Sequence, residues 1–503
     1  MSDRPARKDR IERAEALLAA GRIAEARQIC EAVAPEDPSH TEANYLLGVA
    51  HMALGELEAA HDRFETVTLA DPSHEDGWLR RGAALIAAAR FSEAATCLRT
   101  LLALCPDDSA GLMHYGFCLS CLGDFEAAVP ILEQAHTLTP DDDTVLFLYA
   151  TALTWTAAPA RAMRCLEMLT ERSPDFAAGW IGKCLVHLLV GEYEIGWRLH
   201  EWRLKLPEHD ATALIDATKR WHGGQDQRGK TVLLHADASF GDIIQFCRFV
   251  PAAAAKGVRV LLRVAPPLAR LMRSLPDVEA IFVEDAPLPA FDLQCPIMSL
   301  PLVFGTTLET IPGRVPYLSA TADLVETWSN RLAGVRGFRV GLVWAAAPRA
   351  DQVTARAFGR RKSMSLAALA PLASVPDVTF VALQIGSAAR EAQQPPEGMT
   401  LLDVSGQIAD FADTAAIIAN LDLVISVDTS VAHLAGAMGK PVWLMNLFDT
   451  DWRWMLNRDD SPWYPTLRIF RQPTSGDWDS AIRNVATALR SLPKPLHERP
   501  AHP

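Results

Sequence analysis

Positive charge is in short supply in this chain. Its 48 Lys and Arg face 61 Asp and Glu, a formal net charge of −13 over 503 residues. Binding along phosphate backbones needs a basic face, so nucleic acid is not an expected partner. No run of about 18 apolar residues occurs, so no membrane span is expected. The opening MSDRPARKDRIERAEALLAAG has no apolar core before a small-residue cleavage site, and a cytoplasmic location is expected. The nine cysteines are odd in number and scattered among apolar residues, which fits buried thiols rather than a disulfide framework. Cys118 and Cys121 form a C-x-x-C without a second Cys/His pair at ligand spacing, so they read as two core positions on one helix face. Collagen-like and Ser/Gln-rich tracts are absent, and 49% hydrophobic content excludes a mainly disordered chain. At roughly 100–200 residues per domain, about three folded units are expected.

The first 200 residues repeat. Pro38, Pro72, Pro106, Pro140 and Pro174 are spaced by 34 residues, as are Ala26, Ala60, Ala94, Ala128 and Ala162, continued by Gly196. Gly21, Gly55, Ala89, Gly123, Ala157 and Gly191 make a third series. Each period reads as two amphipathic helices: a turn residue between them, a small residue where they approach, and a proline in the link to the next pair. About six such units, spanning 7–206, predict an α-solenoid of the tetratricopeptide type. The last unit carries Tyr193, Trp197 and Trp202 and reads as a docking surface for the next domain.

Beyond a linker at 207–229 the period changes to short β-branched runs separated by helical stretches. Runs at 231–235, 258–264, 280–283, 338–344, 378–383, 421–426 and 441–445 predict parallel sheets covered on both faces. Two doubly wound α/β domains are expected, 230–325 and 326–491, before a tail at 492–503. The carboxyl ends of their strands would border a cleft.

Four strand ends carry candidate chemistry. In the first, His235 to Arg248, Gly241 permits close backbone approach, and Asp242 is either a helix cap or a general base. In the second, Trp344 leads through Arg349 to Arg360, Arg361 and Lys362, either a solvated loop or a diphosphate-neutralising cluster. Gln384 ends the third, with an amide suited to a base or ribose. The fourth is the most specific: a strand ends at Asp428-Thr429-Ser430 and a helix opens through Val431 and His433. Two hydroxyls and free amides there suit a phosphate, and His433 faces either core or ligand. No D-x-D lies at a strand end in 230–470, so no metal is expected.

As a set, G-D-x-x-Q-F (241–246), L-V-W-A (342–345), L-Q-x-G (383–386), D-F-A-D-T-A (410–415), D-T-S-V-A-H-L-A-G-A-x-G-K-P-V-W (428–443) and D-W-R-W…S-P-W-Y-P (451–465) resemble bacterial tetratricopeptide-repeat glycosyltransferases with a heptosyltransferase-like GT-B catalytic region. The first loop of such proteins usually reads Gly-x-Gly-Asp, where this chain has Ala238 and Ser239 before Phe240-Gly241-Asp242. Ala345-Ala346-Ala347 replaces a small-Gly-Asn run. The resemblance implies a helical solenoid followed by a GT-B pair, and metal-independent sugar transfer from a nucleotide-diphospho-sugar substrate, with no cofactor. It implies Asp242 as base and Gly241 and Gln245 as acceptor-side or loop positions. Donor contacts would come from Arg361, Lys362, Gln384, Asp428, Thr429, Ser430, Val431 and His433. The repeats imply a protein or peptide acceptor, such as a flagellin or another surface protein. A lipid-linked or lipopolysaccharide-type acceptor and a catalytically idle scaffold are the alternatives.

Overall fold

The 34-residue rhythm folds as successive helix pairs in the computed structural model, which describes residues 4–33, 40–156, 158–206, 216–224, 226–284, 286–347 and 359–492. The pairs are Arg4–Ala19 with Ile23–Val33, Thr41–Ala53 with Leu57–Ala70, Glu75–Ala87 with Phe91–Leu104, Ser109–Leu122 with Phe125–Leu138, Asp143–Trp155 with Pro159–Arg172, and Ala177–Leu189 with Tyr193–His200. The chain divides into two compact units, Met1–Cys165 and Leu166–Pro503. The sixth helix pair therefore belongs to the second unit.

In the first unit the helices from Arg4–Ala19 through Asp143–Trp155 pack on their sequence neighbours. Helix starts recur at the repeat spacing because the same position caps them: His40, His74, Asp108 and Asp142 each accept from a backbone N–H two or three residues on. The two helices of a pair meet where a small residue faces a large one. A Cβ added at Gly48, Gly82 or Gly116 would come within 2.7, 2.8 or 2.5 Å of Phe64, Leu98 or Leu132. The turn between helices is left-handed at Gly21, Gly55 and Gly123, and Ala89 adopts the same region at φ 59°. Cys118 and Cys121 are both buried, and burial pushes the Cys118 thiol up to about 12, the opposite of what thiolate chemistry needs. On one helix of this unit His61, Asp62 and Glu65 offer ligand atoms within 4.8 Å of one another, but Glu65 is already paired with Arg81.

The second unit holds two parallel sheets. Strands β1 (Thr231–His235), β2 (Arg259–Val264), β3 (Val278–Val283) and β4 (Leu293–Pro296) order as β3-β2-β1-β4. Strands β5 (Phe338–Val343), β6 (Val378–Ala382), β7 (Leu401–Asp403), β8 (Leu423–Val427), β9 (Val442–Asn446) and β10 (Leu467–Arg471) order as β10-β9-β8-β5-β6-β7. Seven of these strands are among the runs expected from sequence. The other three carry weaker signals: β4 ends on a proline, β7 has three residues, and two of the five residues of Leu467–Arg471 are arginine. One hydrophobic core, including Tyr193 and Trp197, extends through both halves of this unit, and a second lies under the other face of the larger sheet. Among the described residues no helix is long and apolar enough to cross a membrane.

Aromatic residues of the sixth pair take two different positions. Tyr193 and Trp197 are buried against Trp452 and Trp463, with ring centroids 5.4 Å apart for Trp197 and Trp452, and Trp463 Nε1 donates to Tyr193 Oη at 3.0 Å. Trp202 takes no part in this docking; it stacks on Trp180 at 5.2 Å beneath the Lys205 ammonium. Arg203 reaches the loop after β1, where its guanidinium pairs with the buried Asp237 at 2.7 Å and donates to Ser299 Oγ at 2.8 Å.

Candidate functional site

Sheet topology fixes where a site can open. In the larger sheet β6 lies on one side of β5 and β8 on the other, so the connections leave the β5 and β8 ends in opposite directions and a crevice opens there. In the smaller sheet the same reversal occurs at β1 and β4. The strand ends singled out at 235–242, 344–345 and 428–430 all fall at these reversals.

After β8 the chain turns at Asp428 into the helix Ser430–Ala437, whose sequence is small and apolar because it is buried on nearly every side. Thr429 holds the cap position, but no side chain caps the helix. Its hydroxyl pairs instead with Ser426 Oγ at 3.0 Å. The opening amides of such a helix have no intrahelical partner and point outward with the positive end of the dipole. Lys362 Nζ stands 3.2 Å from Asp428 Oδ2, and His433 Nε2 is 3.9 Å from Asp428 Oδ1. Burial raises the Asp428 carboxyl, but Lys362, His433 and Arg453 outweigh it and hold the group below its ordinary value. His433 is 4% exposed, its Nδ1 is 2.9 Å from Tyr464 Oη, and its ring stacks on Trp454 at 5.3 Å. Burial pushes its pKa down to about 4 despite the nearby Asp428, so the imidazole is neutral at pH 7.

The smaller sheet contributes the opposite wall. Gly241 lies against the Ser430–Ala437 helix so closely that a Cβ there would meet His433 Cδ2 at 2.9 Å. The next residue, Asp242, is the third of the helix Phe240–Phe246, and Ser239, not Asp242, is its cap. Asp242 Oδ2 accepts from the Ser239 backbone N–H at 3.0 Å and hydroxyl at 2.6 Å, the return half of a capping box. Its other oxygen pairs with Arg453. Burial raises the Asp242 carboxyl, and Arg453, Ser239 and His433 reverse that and leave it ionised below its usual range. Gln245, fully buried on the same helix, accepts from Arg453 Nε at 2.7 Å.

The remaining candidates serve the backbone and the core as well as the crevice. Gln384 Oε1 accepts from the amides of Trp344 at 3.2 Å and Ala345 at 2.9 Å, tying the ends of β5 and β6 together. Arg361 pairs with the buried Asp449. Val431 is buried beside Ser430, which faces the crevice end of the helix at intermediate exposure. Arg349 lies outside the described residues. The structure thus brings Gly241, Asp242, Gln245, Lys362, Asp428 and His433 together and gives Gln384 and Arg361 positions one layer back.

Comparisons with known proteins match two parts of the chain. A tetratricopeptide repeat model matches residues 17–81 and 122–182. A glycosyltransferase family 9 (heptosyltransferase) model matches residues 380–446, the stretch from β6 to β9 that contains Gln384 and Asp428 to His433. The chain is thus similar to tetratricopeptide-repeat proteins over one part and to glycosyltransferase family 9 over another. Protein FlbA of Caulobacter vibrioides is 28% identical over 357 residues, which cover 65% of this chain and 57% of that protein. The chain thus spans little more than half the length of this curated relative. Among solved structures, pilF of Pseudomonas aeruginosa aligns with 16% identity and a TM-score of 0.36, over 41% of this chain and 94% of its own. YrrB, a tetratricopeptide-repeat protein with a peptide-binding site, aligns with 16% identity and a TM-score of 0.32, over 35% of this chain and 91% of its own.

The heptosyltransferase-family segment ends before the residue that sequence reasoning left without a role, Arg453. It reaches back from the loop after β9 to Asp242, 211 positions earlier. Tyr464 and Trp454, which hold His433, come from the same loop. The crowding of Trp452, Trp454, Trp463 and Tyr464 into one short polar stretch is the signal that marks this loop as buried structure rather than a connection.

Proposed function

We propose that this chain is a glycosyltransferase of the GT-B type that moves a sugar from a nucleotide-diphospho-sugar to a hydroxyl, with a protein Ser or Thr as acceptor. The heptosyltransferase-family segment supports the reaction class, and the repeats support a protein acceptor. One observation carries the reading: at the reversal of the larger sheet, the uncapped helix start at Thr429–Ser430, with Lys362 beside it on Asp428, packs against Gly241, the neighbour of Asp242, from the other sheet. The acceptor oxygen forms a bond to the anomeric carbon as the bond from that carbon to the diphosphate oxygen breaks. The acceptor proton passes to the Asp242 carboxylate, and the leaving diphosphate is met by the helix amides and Lys362. This assignment of charge needs no divalent ion. Asp428 tempers Lys362, so an incoming diphosphate competes with a carboxylate for the ammonium. We place the reaction in the cytoplasm, where buried thiols such as Cys184, Cys247 and Cys295 are at home.

Binding decides this reading first. Replacing Ser430 with Trp should fill the helix start and abolish calorimetric binding of nucleoside diphosphates, with the far-ultraviolet circular dichroism unchanged. Unaltered affinity for every nucleotide that the wild type binds would overturn the donor-site assignment. A wild type that binds nucleotide sugars but never transfers or hydrolyses them would favour the idle-scaffold alternative.

A further inference from the structure

We infer that Arg453 is a positioning residue for Asp242: it holds that carboxylate as an aimed anion, and the aromatic wall built on the sixth helix pair holds Arg453. The inference rests on the reading of Asp242 as the base and adds the group that governs it. Every polar face of the Arg453 guanidinium is committed. One Nη pairs with Asp242, Nε donates to Gln245 Oε1 at 2.7 Å, and Nη1 donates to Asp451 Oδ1 at 2.9 Å. Its flat face lies 4.2 Å from the centre of the Trp452 ring. Trp452 in turn packs edge-on against Tyr193 and Trp197 of the sixth pair. The backbone just beyond is left-handed at Met455 and Asn457, with φ 48° and 54°, a conformation held by Arg471 Nη2 donating to Met455 O at 2.7 Å. Strained backbone persists where surrounding contacts over-determine it.

The geometry has a chemical consequence. A carboxylate beside a neutral, buried imidazole and an aromatic wall would tend to take up a proton; a guanidinium in direct contact opposes this. The other charged groups on the elements around Asp242 are already engaged. Asp428 and Lys362 pair with each other, Arg248 donates to Trp463 O and Tyr317 Oη, Asp237 pairs with Arg203, and His433 is neutral at pH 7. Among the described residues, Arg453 is therefore the cation in contact with Asp242. It also explains how a half-buried base stays ionised before an acceptor arrives.

The test reads the carboxyl directly. In the full-length chain labelled with ¹³C at aspartate carboxyls, the Asp242 signal is assigned by its loss in Asp242→Asn and followed against pH. In the wild type it should titrate below the ordinary aspartate range. In Arg453→Met the midpoint should rise by at least one pH unit, and in Arg453→Lys it should fall between the two. Asp451→Asn, which removes an anchor and leaves the cation, should broaden or move the signal less than Arg453→Met. Release of nucleoside diphosphate from UDP-, GDP- and ADP-hexoses supplies the second readout, and its acid limb should move with the carboxyl midpoint. An Asp242 midpoint unchanged in Arg453→Met and Arg453→Lys overturns the inference even if Asp242→Asn is inactive. Full activity of Asp242→Asn overturns the base assignment instead, whatever Arg453 does to the midpoint.

Discussion

Burial and charge act against each other at Asp242 and His433, and the balance sets what each can do. Asp242 stays a carboxylate because Arg453 and Ser239 offset its burial. Asp242→Asn keeps the size of the side chain and an oxygen for Ser239 but loses basicity. Turnover should fall by about 100-fold or more, while calorimetric nucleotide binding stays near wild type; wild-type turnover would reduce the residue to its capping role. His433 shows the other outcome. Its folded-state pKa is about 4, below the usual imidazole value of about 6.5. As pH falls, the unfolded chain takes the proton first. His433 therefore costs no stability above about pH 6.5 and up to about 3 kcal/mol as pH drops toward 4. The depressed carboxyls of Asp242 and Asp428 act in the same direction, since their contribution is lost as pH falls through their folded values. A curve of urea midpoint against pH should be steep between pH 4 and 6.5 in the wild type and flatter in His433→Asn. Equal slopes would assign the acid sensitivity elsewhere.

Single elements of this fold serve two structures at once. The sixth helix pair has the repeat's spacing, yet it contributes core to the second unit. Tyr193 and Trp197 sit behind the loop that carries Arg453, and Arg203 pins the loop that leads into Asp242. Removing one partner of a buried ion pair leaves the other charge uncompensated. Arg203→Met should thus destabilise the second unit by about 3–5 kcal/mol, read as a lower denaturation midpoint by near-ultraviolet circular dichroism. A change under about 0.5 kcal/mol, the size of an ordinary surface substitution, would mean that Asp237 finds another partner. The Ser430–Ala437 helix has a similar double use. Its amino end opens on the crevice, while Gly436 admits the Tyr464 ring so closely that a Cβ would come within 2.5 Å of it. Packing of the helix body thus fixes the position of the helix start.

At the level of the whole chain, the first unit consists of helix pairs that bury one another, with no strand among its described residues. A stack of this kind offers extended surface, which suits recognition of another protein rather than bond chemistry. Deleting 7–108 should leave nucleotide binding and slow donor hydrolysis in place. Transfer to a protein acceptor should be lost at low acceptor concentration, measured by intact mass of the acceptor. A truncated chain that modifies its acceptor as fast as the full chain would give the repeats another purpose.

Periodicity carried most of the architecture. The 34-residue spacing of Pro, Ala and Gly positions requires helix pairs because only a small residue admits the facing helix, and the Gly48, Gly82 and Gly116 contacts show the same rule at a further series of the same period. Apolar runs of four to seven residues marked seven of ten strands, since strands covered on both faces need apolar residues at most positions. β4, β7 and β10 escaped because a proline, a short length and two arginines each weaken that pattern. Asp428, Thr429 and Ser430 were legible because a strand end, two hydroxyls and a run of small residues lie adjacent in the chain. Arg453 was not legible, for its partner Asp242 lies 211 positions away. Nor does the sequence state that Gln384 spends its carbonyl on two backbone amides, that Arg361 turns to Asp449, or that Trp197 and Trp202 part company. Local pattern determines which elements form, because helix and strand bury apolar side chains at their own periods. Which charges meet is decided only when the sheets and loops close on one another, because burial and a distant counter-ion together set each group's state.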